Sequence, residues 1–136
     1  MLFLTVLACV FEPGQRQKAL DDAREKWDEN APSHYRYVED EWAFAPSDGS
    51  VRIEVQDGEI VSALIVETDQ PAPESRALTI DDLFDKVQDE LDGRPDDITV
   101  EYDAALGFPA SVDVDPISNA MDDEHGFGAD WFETLE

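Results

Sequence analysis

The stretch Val51-Arg52-Ile53-Glu54-Val55-Gln56-Asp57-Gly58-Glu59-Ile60 constrains the fold of this chain more than any other. Its apolar residues Val51, Ile53 and Val55 fall on every second position, the period of a strand with one face in a core. The Asp57-Gly58 pair that follows suits a two-residue turn needing positive φ at both central positions. An antiparallel hairpin is therefore expected from Ser50 to Glu67, with Gln56 facing Glu59 and Val55 facing Ile60. Leu64 and Val66 are expected to continue its apolar face.

Two segments carry the helical period instead. Between Gln15 and Glu29, residues Leu20, Ala23 and Trp27 share one face, and Asn30-Ala31-Pro32 ends the run because the residue before proline leaves the helical region. Trp27 reads as a core anchor. In the second helix, Ile80, Leu83, Phe84, Val87 and Leu91 recur at i, i+3, i+4, i+7 and i+11 after a Thr79 cap. Asp81 and Asp82 suit the helix dipole there, and Gly93 and Pro95 stop the helix.

The remaining apolar segments alternate as strands. From His34 to Ala45, Tyr35 and Tyr37 face one way while Val38, Trp42 and Phe44 face the other, a phase change that suggests a bulge or burial on both faces. Pro46-Ser47-Asp48-Gly49 reads as a turn. Ile98, Val100 and Tyr102 mark a fourth strand, and Ala110, Val112 and Val114 a fifth. Phe127, Trp131, Phe132 and Leu135 are expected to dock back as a last strand or cover. The order α-βββ-α-ββ predicts an α+β class: a single domain over residues 15–136, two helices packed on one antiparallel sheet of about five strands.

Composition narrows the functional classes. The chain has 136 residues, of which 34 are acidic and 9 basic, for a net charge of −25. Arg94 is the last basic residue, so residues 95–136 carry twelve acidic side chains and only His125 besides. Such a field repels phosphate backbones and excludes nucleic acid as a partner, while attracting cations and basic partners. A solvated acidic surface suited to high salt is the alternative. No nucleophile elbow, phosphate loop, dinucleotide fingerprint or zinc spacing accompanies His34 and His125, so no enzyme activity and no cofactor are expected. Asp103 and Asp115 end the fourth and fifth strands at opposite ends of one hairpin, and Asp122, Asp123 and Glu124 could approach one of them. A hard cation such as Ca2+ takes six to eight oxygens and would offset their repulsion. The competing reading has Asp103 capping its turn through backbone amides.

The N-terminus, residues 1–14, reads as a signal-peptide or lipobox-like remnant and tether. Met1 to Cys9 is apolar and shorter than the roughly 20 residues a membrane span needs. Val6-Leu7-Ala8-Cys9 is similar to a bacterial lipobox, in which the cysteine is lipidated, although no basic residue precedes the run. A start upstream would supply one. A short core strand with an inert Cys9 is the other reading; Glu12-Pro13-Gly14-Gln15, a tether in composition, favours the first.

Finally, the motifs Trp27, Tyr35-x-Tyr37, Ile53-x-Val55-x-Asp57-Gly58, Thr79-Ile80-Asp81-x-Leu83-Phe84, Tyr102-Asp103 with Gly107-Phe108-Pro109, and Asp122-Asp123-Glu124 stand in one order. Together they resemble DUF6174, a family of small bacterial exported proteins of unknown function, across residues 20 to 132. The resemblance implies export, often with a lipid anchor, and no catalytic residues. Its implied setting is the cell envelope, with a protein or envelope component as partner and the membrane reached only through Cys9. Phe108 stands where that pattern usually has Tyr, so the position is expected to pack, not react. Trp42 and Ala45 stand where many relatives carry cysteines.

Overall fold

The computed structural model describes residues 13–43, 49–117 and 123–135. In chain order these form α1 (Pro13–Asn30), β1 (His34–Ala43), β2 (Val51–Gln56), β3 (Glu59–Ile65), α2 (Ile80–Asp92), β4 (Asp97–Tyr102), β5 (Pro109–Asp115) and β6 (His125–Thr134). The six strands make one antiparallel sheet in the order β3-β2-β1-β6-β5-β4. The expected α+β class and two helices hold, but the sheet has six strands, not five. The extra one is β6, the C-terminal segment expected to dock back as a last strand or cover, which pairs with β1 on one side and β5 on the other. Its glycines and a bulge break the period-2 pattern by which a strand is recognised.

Both helices lie on one face of the sheet. Leu20, Ala23 and Trp27 of α1 and Ile80, Leu83, Phe84 and Val87 of α2 join one buried cluster with Tyr35, Tyr37, Val51, Ile53, Val55, Val112, Val114 and Phe127 from the strands. Thr79 closes α2 as expected: its hydroxyl accepts from the Asp82 amide while the Asp82 carboxylate accepts from the Thr79 amide. Trp27 anchors the centre, meeting Tyr35, Phe108 and Phe132 edge-on at ring separations of 5.4, 6.4 and 5.9 Å. Truncating a buried ring of this kind costs about 3–5 kcal/mol. The two tyrosines of β1 also hold the entry to α2, since Tyr35 Oη accepts from the Ile80 amide and Tyr37 Oη donates to the Leu78 carbonyl.

Register reveals two corrections. Gln56 does face Glu59 and Val55 does face Ile60, with Asp57 and Gly58 both at positive φ. The ladder then shifts, so Ile53 faces Ala63 and Val51 faces Ile65. One extra residue on β3 reverses the phase, turning Leu64 to the outer face opposite Arg52 and ending the strand before Val66, which is 40% exposed. In β1 no phase change occurs: Tyr35, Tyr37 and Glu39 are buried in alternation, with Val38 between them on the outer side. The irregularity lies in the partner strand, at Trp131 of β6. Phe44, Ala45 and most of the expected turn at 46–49 lie outside the described residues.

The Gly107-Phe108-Pro109 turn is built for packing. Phe108 is buried, stacked on Phe132 at 4.7 Å. Gly107 has φ +89°, and a methyl group there would run into the Ala23 carbonyl of α1. Gly58 has a similar φ of +82° but open space around it. Gly107→Ala is therefore expected to combine about 1–2 kcal/mol of backbone strain with a clash of similar size. In urea unfolding it should cost at least twice as much as Gly58→Ala.

Candidate functional site

Three arrangements of polar and exposed side chains were candidates, and the geometry separates them. The first lies inside. Glu39 and Glu41 occupy inward positions of β1 where the alternation calls for apolar residues. Arg76, from the 3₁₀ turn Glu74–Arg76, covers them: its Nε and Nη2 donate to Glu39 Oε1 at 3.0 and 2.7 Å, and Nη2 also reaches the Gly49 carbonyl at 2.8 Å. Glu41 Oε2 lies 3.3 Å from Arg76 Nε and 3.1 Å from Lys86 Nζ of α2. Lys86 in turn sits 4.2 Å over the Phe127 ring.

Glu39 is fully buried, and its Oε2 has no hydrogen-bond partner among the described residues. Burial first, and the neighbouring Glu41 second, push its pKa up to about 7. Burial acts on Glu41 in the same direction, but its hydrogen bond with Glu39 and its contact with Lys86 outweigh that and leave it below the ordinary value. Every charge here is answered by another, and the group pins the connection after β3 onto the sheet. We assign it to the fold.

The second arrangement is the acidic set expected from sequence. Asp103 is taken out of it, because its Oδ2 accepts from the Ala105 and Leu106 amides at 3.1 and 2.8 Å and so caps the β4–β5 turn. Asp115 is paired with Asp97 at the far end of that hairpin. Partial burial and the carboxylates of Asp123, Asp96 and Asp97 raise its pKa. Asp115 Oδ1 and both Asp123 carboxylate oxygens are enclosed without a partner among the described residues. Glu124 is exposed, while Asp122 and Cys9 lie outside the described residues. Among the described residues, no three His, Cys, Asp or Glu side chains are placed to hold a metal ion.

The third is the sheet face turned away from the helices. Trp42 of β1 lies on it, over Gly126 of β6, where a Cβ would collide with the indole. Its Nε1 donates to Asp113 Oδ1 at 3.0 Å, and the residue stays 39% exposed. Trp131 departs from expectation altogether. It does not dock into the core but stands 78% exposed at φ +50°, in the bulge where β6 shifts against Arg36 and Val38. Its neighbour Phe132 takes the core position. A signal for this was present, since adjacent residues of a strand point to opposite faces and Trp131 and Phe132 cannot both be inside. A cleft of about 150 Å3 between α1, α2 and β4, lined mainly by Ala19, Leu91, Ile98, Val100 and Tyr102, is smaller than the roughly 300 Å3 of ordinary ligand pockets. The open face is the candidate site.

The buried carboxylate has a measurable consequence. Because the Glu39 pKa is raised on folding, its stabilising share is complete below about pH 4.5 and is lost as pH rises through about 7. Glu39→Gln removes that titration. Relative to the variant, the wild-type protein should lose about 3 kcal/mol of unfolding free energy between pH 5 and 8, from 1.36 kcal/mol per pK unit. Urea titrations at both pH values check this, and parallel curves would disprove it.

No helix among the described residues is long and apolar enough to cross a membrane. No curated protein matches the chain. The profile of the Family of unknown function (DUF6174) matches residues 19–134, from within α1 to the end of β6. The chain therefore belongs to the DUF6174 family.

Proposed function

We propose that this protein is an exported, lipid-anchored binding module of the cell envelope, without catalytic activity, that docks a partner on the open face of its sheet. One observation carries the reading: Trp131 is 78% exposed at φ +50° in the β6 bulge, next to Asp130 of that face. A bulky residue in the left-handed region is an outlier costing about 1–3 kcal/mol, and its exposed ring returns nothing to the folded state. Tryptophan is among the residues enriched at interfaces relative to the rest of a protein surface. The anchor is supported by the apolar run ending at Cys9. Acylation there would hold on a membrane face a domain whose −25 charge otherwise avoids it.

The test uses the full chain in a bacterial envelope. A photoreactive phenylalanine at position 131 keeps an aromatic ring on the open face, and one at Glu25 on the solvent side of α1 serves as control. Discrete adducts are expected at 131 and none at 25. Equal yields at both positions, or none at 131, would dismiss the reading. Intact mass of the same membrane-extracted protein should begin at an acylated Cys9, and a retained Met1 would remove the anchor.

A second reading rests on the enclosed, unpartnered oxygens of Asp115 and Asp123: a divalent cation held at that end of β5. Calcium would then raise the thermal midpoint at fixed high ionic strength where magnesium does not. Equal midpoints in the two salts would end it.

A further inference from the structure

Resting on the docking reading above, the geometry points to the partner's chemistry: we propose that the open face takes a lysine- or arginine-rich polypeptide segment, whose cationic side chains lie against Trp131 and Trp42. The face is one-sided in charge. Its arginines are already engaged, Arg36 with Glu133 at 2.9 Å and Arg52 with Asp69 at 3.0 Å, and His34 Nε2 lies 2.6 Å from Glu54 Oε2. Its central carboxylates are not so engaged. Asp40, Asp113 and Asp130 accept hydrogen bonds from the Ser50 hydroxyl, the Trp42 indole and the Trp131 amide, and none forms an ion pair among the described residues.

Register places these groups together. Asp40 faces Gly128 and Val38 faces Asp130 across β1 and β6, while Trp42 and Asp113 flank Gly126 from either side. Gly128, buried against the Ala110 carbonyl of β5, lies between the Trp42 position and the Asp130-Trp131 bulge. Two indoles beside three uncompensated carboxylates suit a cation on both counts. The ring face attracts a guanidinium or ammonium, and the carboxylate takes its hydrogen bonds. An anionic lipid surface or a nucleic acid meets a field of its own sign and is repelled.

The experiment measures binding of an amidated (Lys-Gly)6 peptide to the full chain at physiological salt, by the quenching of tryptophan fluorescence and by calorimetry. Trp131→Gly leaves the net charge untouched and should weaken binding by about 3- to 10-fold, while Glu25→Gln on α1 should not. Asp130→Asn and Asp113→Asn should each weaken it by about 2- to 5-fold, the range of one exposed ion pair or cation–π contact. The Trp131→Gly variant should unfold no earlier than the wild-type protein, since glycine suits φ +50° better. A lower midpoint would show that Trp131 serves the fold and would overturn the inference. So would unchanged peptide affinity in Trp131→Gly, which would mean that net charge alone attracts the peptide. If position 131 still yields envelope adducts while that affinity is unchanged, the docking face stands and only the basic partner is lost.

Discussion

The pairing of β6 between β1 and β5 is the interaction on which the remaining structure depends. The chain builds β1-β2-β3 first and β4-β5 later, and among the described residues the sheet joins those two units through β6. Contacts of such large sequence separation carry a high loop-closure cost, so the fold belongs to the slower, non-local class. Once in place, β6 turns Phe127, Ala129 and Phe132 towards the helices, while on its other side Gly126 lies beneath Trp42 and Gly128 against the Ala110 carbonyl.

That division explains why the inner face can tolerate an ionic group. The apolar stripe of β1 runs out at Tyr37, and Glu39 and Glu41 continue inward beneath Arg76 and Lys86. A buried pair is weak evidence for stability, because desolvation offsets most of its attraction. Breaking it is costly, however, and the guanidinium also holds the Gly49 carbonyl. The group thus fixes where the long connection from β3 to α2 can lie. It selects one arrangement of that connection over others that would bury the same apolar area.

The outer face follows a different rule. Among the described residues no second layer covers it, so its side chains answer to solvent and to whatever docks there. Its cations are matched by nearby carboxylates, while the carboxylates near β6 remain in excess. The two tryptophans are held in different ways. Trp42 fills the space above Gly126, the familiar covering of a strand glycine by a cross-strand aromatic. Trp131 fills no space in the fold at all, and its backbone conformation is one that glycine would adopt at lower cost.

Much of the architecture was legible in the residues themselves. Local rules determined both helices, the Thr79 cap, the Asp57-Gly58 hairpin and the Asp103-capped turn, because each depends on neighbours in sequence and on backbone preferences. The family was legible too, in motifs that prove to be core anchors and turns. What only the tertiary structure decided were the matters of register and insertion. Leu64 turned outward because one bulge shifts a period-2 pattern by one place. Glu39 became buried because Arg76 arrives from 37 residues away. β6 became a central strand because its glycines and bulge hide the alternation that would announce it. Trp131 was left exposed because its neighbour Phe132 took the core position, packing against Trp27, Tyr35 and Phe108; the order of residues says that both cannot be inside, not which one is.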